Sequence, residues 1–201
     1  EAEAIRDGGL YVSGLLELSI GGPSVFPPQP ESVSKFAFSS FTWKTSEGKD
    51  RYRRGLYTFT KRTVPYPAAQ VFDAPPRNTC SVRRLRSNTP LQSLALLNDE
   101  VMVEAARALA ARVLRSSAPD VEAKATYAFR LCLTRPPDTS ELGELGDFYR
   151  NQLERFSSGS ANPVAVTGVD KDKPPSDLNE LAAWTAVSRV LLNLDEVVTR
   201  E

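Results

Sequence analysis

Histidine is absent from all 201 residues. Without an imidazole, the usual Ser-His-Asp and Cys-His constellations cannot be assembled within this chain, and neither can His-ligated zinc or iron sites. Cysteine is scarce. Cys80 and Cys132 are too few for a Cys-rich zinc site and form no CxxCH haem-attachment motif, so no cofactor is expected in this chain. Neither sign of charge is in excess, with 25 basic and 25 acidic residues. A protein that neutralises many phosphates carries a basic surplus, so nucleic acid is not an expected partner. No apolar run approaches the ~20 residues of a membrane span. The first residue is Glu1 and not methionine, so the expectation is a processed chain or a piece of a longer one, and missing targeting segments say nothing of location.

What is present is helical instruction, concentrated in the second half. Thr89-Pro90-Leu91-Gln92 is a start signal: Thr89 caps, Pro90 sits where a missing N–H costs nothing, and Gln92 closes a capping box. Asn98 and Asp99 offer a second cap. Beyond them Met102, Ala105, Ala106, Leu109 and Val113 share a face at helical spacing. Glu100 and Glu104 lie early in that helix and Arg107, Arg112 and Arg115 late, an order that suits the macrodipole. The 99–115 helix is therefore expected at the centre of the helical half. Ser117-Ala118-Pro119-Asp120 opens another helix, with Val121, Ala125, Ala128 and Cys132 inward and Phe129 beside them, and Pro136-Pro137 stops it. Asp138-Thr139-Ser140-Glu141 opens the next, with Leu142, Leu145, Phe148, Tyr149, Leu153 and Phe156 inward. Residues 157–177 are rich in Ser, Gly and Pro without a period, and are expected as a flexible loop. A last helix puts Leu181, Trp184, Ser188 and Leu191 on one face, with Trp184 as a core anchor.

The first half gives weaker signals. Residues 3–16 have a helical pattern with Ile5, Val12, Leu15 and Leu16 as core candidates, against three glycines. Pro27-Pro28-Gln29-Pro30 is extended, polyproline-like chain. Phe36, Phe38 and Trp43 alternate weakly over 33–46, as a short strand or hairpin would. Residues 51–62 mix arginines with Tyr52, Tyr57 and Phe59; with no net charge, the expectation is packed aromatics and arginines that stay wet or pair with carboxylates. Residues 67–73 allow one more helical turn. The fold class is thus mainly α: one domain over 1–201, with an irregular, loop-rich half at 1–88 packed on a C-terminal bundle of about four helices at 89–156 and 178–194.

Residues able to do chemistry are few. Ser32-Val33-Ser34-Lys35 matches S-x-x-K, but the S-D-N and K-T-G partners of that motif are missing. Asp170-Lys171-Asp172 lacks the glycine and distant glutamate of a calcium loop. One polar constellation remains: Arg83, Arg84 and Arg86 with Asn98 and Asp99. Arginines before a helix start can bind an anion; the same residues can serve as an ion-pair network that fixes the irregular arm. Cys80 and Cys132 either bridge the two halves, worth about 2–4 kcal/mol, or stay free as buried thiols.

The block YRRGLYTFTKRTVPYPAAQVFDAPPRNTCSVRRLRSNTPLQSLALLND, Tyr52 to Asp99, resembles the central signature of a planctomycete-specific domain family of unknown function. Ile20 to Glu31, Ala128 to Leu142 and Ala182 to Glu201 are similar to further blocks of that family, in the same order. Thr60 stands where the family often has Trp. The resemblance implies the C-terminal part of a large exported protein. Its partners would be other modules of the same polypeptide, a haem-c module among them, and its location extracytoplasmic, periplasmic or cell-surface. That setting favours the Cys80–Cys132 bridge. No catalytic residues carry over. The expected function is a non-catalytic structural or interaction module of a haem-associated protein. The alternatives are an extracytoplasmic hydrolase of esters, lactones or glycans, and an anion or polysaccharide binder using the three arginines with Tyr52 and Tyr57. Composition leaves the oligomeric state open.

Overall fold

Helices carry the fold wherever a cap and an apolar stripe coincide. The computed structural model describes residues 1–30, 32–33, 42–75, 80–85 and 87–199, and is mainly α-helical. Among the described residues β-pairing is limited to isolated parallel bridges, Glu17 with Arg53 and Val25 with Thr58. The chain divides into two compact units: Glu1–Tyr11 with Leu15–Val103, and Val12–Gly14 with Glu104–Glu201.

In the first unit, α1 runs Ala2–Ser13. It forms despite its glycines because tertiary burial overrides propensity. Gly9 is used for close approach: a Cβ there would lie 2.8 Å from the Met102 methyl carbon. Leu10 and Ala2 are buried, whereas Ile5, Leu15 and Leu16 are only half-buried. The helix stops at Ser13, three residues before the expected end, and the amides of Leu15 and Leu16 both turn back to the Leu10 carbonyl at 2.9 and 3.1 Å. The expected helical turn at 67–73 is α2, Pro67–Val71. It packs on α3, Pro90–Asn98. The Thr89 capping box forms as expected, and its partner Gln92 does more: its side-chain amide, buried, donates to the Val71 carbonyl at 2.9 Å and to Ser87 Oγ at 3.0 Å. A residue chosen for a cap thus also ties α3 to the end of α2. Next comes α4, Glu100–Leu114, whose first turn Asp99 caps by accepting from the Met102 amide at 3.1 Å.

Of the hairpin expected over 33–46, the described residues 42–46 form no strand, and Phe36 and Phe38 lie outside the described residues. Trp43 instead joins an aromatic cluster. Its ring stacks on Tyr66 at 6.1 Å and 2°, meets Phe26 edge-on at 5.2 Å, and its Nε1 donates to the Pro27 carbonyl at 2.8 Å. Pro27 and Pro28 are buried, and Trp43 ties the polyproline-like stretch down through the Pro27 carbonyl.

Arg53 departs from the expectation of solvated arginines. It is 4% exposed; its guanidinium lies 3.7 Å over the Tyr57 ring and donates to the carbonyls of Ser19, Gly21 and Pro23. A delocalised, weakly hydrated cation tolerates this where an ammonium would not. Arg51 and Arg54 behave as expected, pairing with Glu100 and Asp7.

In the second unit α4 supplies Ala105, Ala106, Leu109 and Val113 of the predicted face, all fully buried, with Ala110 buried beside them. The remaining helices are α5 (Val121–Leu133), α6 (Thr139–Ser157), α7 (Pro163–Thr167), α8 (Leu178–Leu191) and α9 (Asp195–Val198). Asp120 alone caps α5, accepting from the Ala123 amide at 2.7 Å, where a box beginning at Ser117 was expected. The Asp138–Glu141 box on α6 is as predicted. The most surrounded helix is α8, which packs on α5, α6 and α7. It is apolar on more than one face: Ala182, Ala183, Trp184, Thr185, Val187, Ser188 and Leu191 are all buried. Trp184 is fully buried against Tyr149, ring centroids 4.7 Å apart.

Residues 157–177, expected as a loop, contain α7. Asn162 caps it through the amides of Val164 and Ala165, and Pro163 fills its first position. Arg107 Nε closes its other end on the Val166 carbonyl at 2.8 Å. Gly168 follows with φ 66°, a left-handed conformation that favours glycine, and a Cβ there would lie 2.6 Å from an Arg107 nitrogen.

Arg135 organises the turn after α5. It makes paired contacts to Glu141, at 2.9 and 2.7 Å, and to Glu196, at 2.9 and 2.7 Å, and stands over the Phe129 ring. Its hydrogen bonds hold Glu141 down to about 2 from an ordinary 4.5, and Glu196 below its ordinary value as well. A carboxylate with a depressed folded pKa stabilises above its unfolded pKa and loses that contribution as pH falls through the folded value. Acid unfolding should therefore gain part of its slope between pH about 4.5 and about 2. In Arg135→Met that part should be missing from a CD-monitored pH titration; an unchanged slope would contradict the assignment.

Candidate functional site

A cavity of approximately 370 Å³ opens within the first unit. Its walls come from stretches far apart in sequence: the first turns of α1, residues 55–60, α2 with the chain just after it, the arm at 81–85, and the α3–α4 junction. Tyr66, Phe72, Leu96, Met102 and several alanines make most of the wall apolar.

The carboxylates in this wall, and Arg6 and Arg84, are each engaged by a neighbour. Glu3 Oε2 and Oε1 accept from Arg84 at 2.7 and 3.3 Å, and Glu1 lies 3.7 Å from the same guanidinium. Glu3 raises the Arg84 pKa through that hydrogen bond. Asp73 accepts from the Ser87 amide at 2.9 Å and from its hydroxyl at 2.6 Å. Asp99 caps α4; burial pushes its carboxyl upward, and the Met102 amide and the charge of Arg6 partly offset this. Arg6 Nη2 donates to the Arg51 carbonyl at 2.8 Å, while its buried Nε finds no acceptor among the described residues. Burial first, then the Asp99 charge, raise the Tyr66 phenol above its usual range, so Tyr66 stays protonated.

Of the anion-binding candidates, Arg83, Arg84 and Asp99 all line this cavity. Arg84 takes the ion-pair role, and Arg83 is exposed with no acidic partner among the described residues. Asn98 does not line it; its amide turns back to the Leu94 carbonyl at 2.8 Å. Arg86 lies outside the described residues. Tyr57, the candidate sugar platform, has its face covered by Arg53 and its hydroxyl accepting from the Gly21 amide at 2.9 Å.

The expected Cys80–Cys132 bridge is not formed: both are free thiols, Cys80 exposed and Cys132 part-buried. Burial on α5 pushes the Cys132 thiol up to about 12, which keeps it protonated and unreactive. Among the described residues no three His, Cys, Asp or Glu side chains converge to hold a metal ion, and no helix is long and apolar enough to cross a membrane.

The sequence pattern of PSD1, a protein of unknown function (DUF1553), matches residues 1–149. The chain belongs to this family. The PSD1 match takes in every segment that walls the cavity and ends within α6, so α7, α8 and α9 lie beyond it. No curated protein and no solved structure matches the chain.

Sequence reasoning found Arg83, Arg84 and Asp99 but missed Glu3, Arg6, Tyr66 and Phe72 as neighbours of them. Tyr66 lies between Pro65 and Pro67 and reads locally as a chain breaker. No local signal marks these residues, because the cavity exists only once separate segments have folded together.

Proposed function

We propose that this PSD1 chain is a non-catalytic interaction module and that the cavity of its first unit is the surface it uses. The observation that carries this is the employment of the cavity's carboxylates: Glu3 is paired, Asp73 holds the Ser87 turn, and Asp99 caps a helix. A general acid or base must be free to meet its substrate, and these three are already used to position the walls. The apolar lining between them suits occupancy by a ligand or a partner group. The setting belongs to the same proposal: an exported, multidomain protein, with the chain beside other modules, one of them carrying haem. The resemblance of Tyr52 to Asp99 to the planctomycete-specific domain supports that part.

Asp99 is the residue on which a hydrolase would depend, being the carboxyl whose burial raises its pKa inside the cavity. Asn caps helices as well as Asp does, so Asp99→Asn keeps the fold. Purified wild-type chain incubated with a panel of esters, lactones and glycans is expected to show no turnover above buffer, and Asp99→Asn is expected to match it. Turnover abolished by Asp99→Asn would refute the proposal.

A further inference from the structure

Among the described residues, the cavity pairs an apolar interior with one cation at its edge, Arg83, that no carboxylate engages. Its volume, approximately 370 Å³, falls at the lower end of the roughly 300–1,000 Å³ spanned by small-molecule sites. Tyr66, Phe72, Leu96 and Met102 line it, with Ala69 and Ala95 leaving space where larger side chains would fill it. Of its arginines, Arg84 is held by Glu3 and Arg6 is anchored on the Arg51 carbonyl. Arg83 lines the cavity yet is exposed, and among the described residues no carboxylate reaches its guanidinium.

We infer that the cavity binds a small apolar carboxylate, an acyl or aryl acid whose hydrocarbon body lies against Tyr66, Phe72, Leu96 and Met102 and whose carboxylate is held by Arg83. This rests on the preceding reading of the cavity as a binding surface and adds the class of ligand. The planar guanidinium presents parallel donors at the spacing of two carboxylate oxygens, and a hydrogen bond between charged groups is stronger than a neutral one. The acidic side chains of the wall do not compete, since Glu3, Asp73 and Asp99 already accept from Arg84, Ser87 and Met102. Burial of the hydrocarbon supplies affinity in proportion to the apolar area covered; Arg83 selects for the charge.

Isothermal titration with octanoate, 1-octanol and acetate separates these contributions. Octanoate is expected to bind saturably at one site, octanol more weakly, and acetate not measurably. Arg83→Ala, at an exposed position, should weaken octanoate at least tenfold and leave octanol unchanged. Ala69→Phe, which fills the cavity, should abolish both; if its CD melt shows a damaged fold, Ala95→Leu serves the same purpose. Absence of saturable octanoate binding overturns the inference, as does octanoate binding indifferent to Arg83→Ala or to the filled cavity. Failure of octanoate with no turnover of the ester panel removes only the ligand class, whereas Asp99-dependent turnover removes the interaction reading itself.

Discussion

Trp184→Ala should destabilise the second unit by about 3–5 kcal/mol, the range for removing a large aromatic from a packed core. Trp184 is fully buried on α8, the helix that α5, α6 and α7 all pack against, and it faces Tyr149 at 4.7 Å. Its removal leaves a void among elements that cannot all collapse inward at once, because Ala182, Ala183 and Val187 on the same helix are already in contact with their surroundings. Trp184→Phe keeps an aromatic against Tyr149 and should lose about half as much. Urea unfolding followed by far-UV CD gives the loss, and hydrogen exchange should place it in α5, α6 and α8. A loss under about 1 kcal/mol would mean that α8 is not the centre of this unit.

Arg53→Ala should cost the first unit about 3 kcal/mol, since it removes several charge-assisted hydrogen bonds and a buried stem together. The side chain gathers the carbonyls of Ser19, Gly21 and Pro23 and lies over Tyr57, so one residue fixes the turn between α1 and the Val25 bridge. Arg53→Lys restores the charge but not the planar fork and should recover only part of the loss. The neighbouring Arg54 is the control: half exposed and paired with Asp7 at 3.2 Å, it should lose less than about 1 kcal/mol on truncation. Equal losses at Arg53 and Arg54 in thermal melts would remove the distinction.

The contrast between those adjacent arginines shows where the sequence stops being informative. Both sit in one run of basic and aromatic residues, and nothing local says which will be buried. The second half was legible because its instructions are local. Thr89 and Asp138 find their box partners three residues away, and the α4 stripe needs only helical spacing to be recognised. Residues 157–177 hid α7 behind a composition typical of loops, although Asn162 before Pro163 is a start signal at short range. What holds its far end, Arg107 on the Val166 carbonyl, reaches across 59 positions and has no local trace. The cavity is the extreme case: the arginine arm and Asp99 were visible as separate features, but their shared surroundings come from α1, α2 and residues 55–60. The two cysteines alone leave bridge and free thiols open and only the implied setting favours the bridge; the burial of Cys132 on its helix gives the thiol a different fate.

Met102 offers the most direct test of the central claim, that the interior of the first unit is a place for binding. It is the only methionine in the chain, it is buried, and it lines the cavity. Protein labelled with ¹³C at the methionine methyl gives a single resonance that reports on that wall. Octanoate should shift this resonance saturably, acetate should leave it in place, and Ala69→Phe should suppress the shift. A methyl signal that stays fixed at saturating octanoate, in protein shown to be folded, would contradict the account.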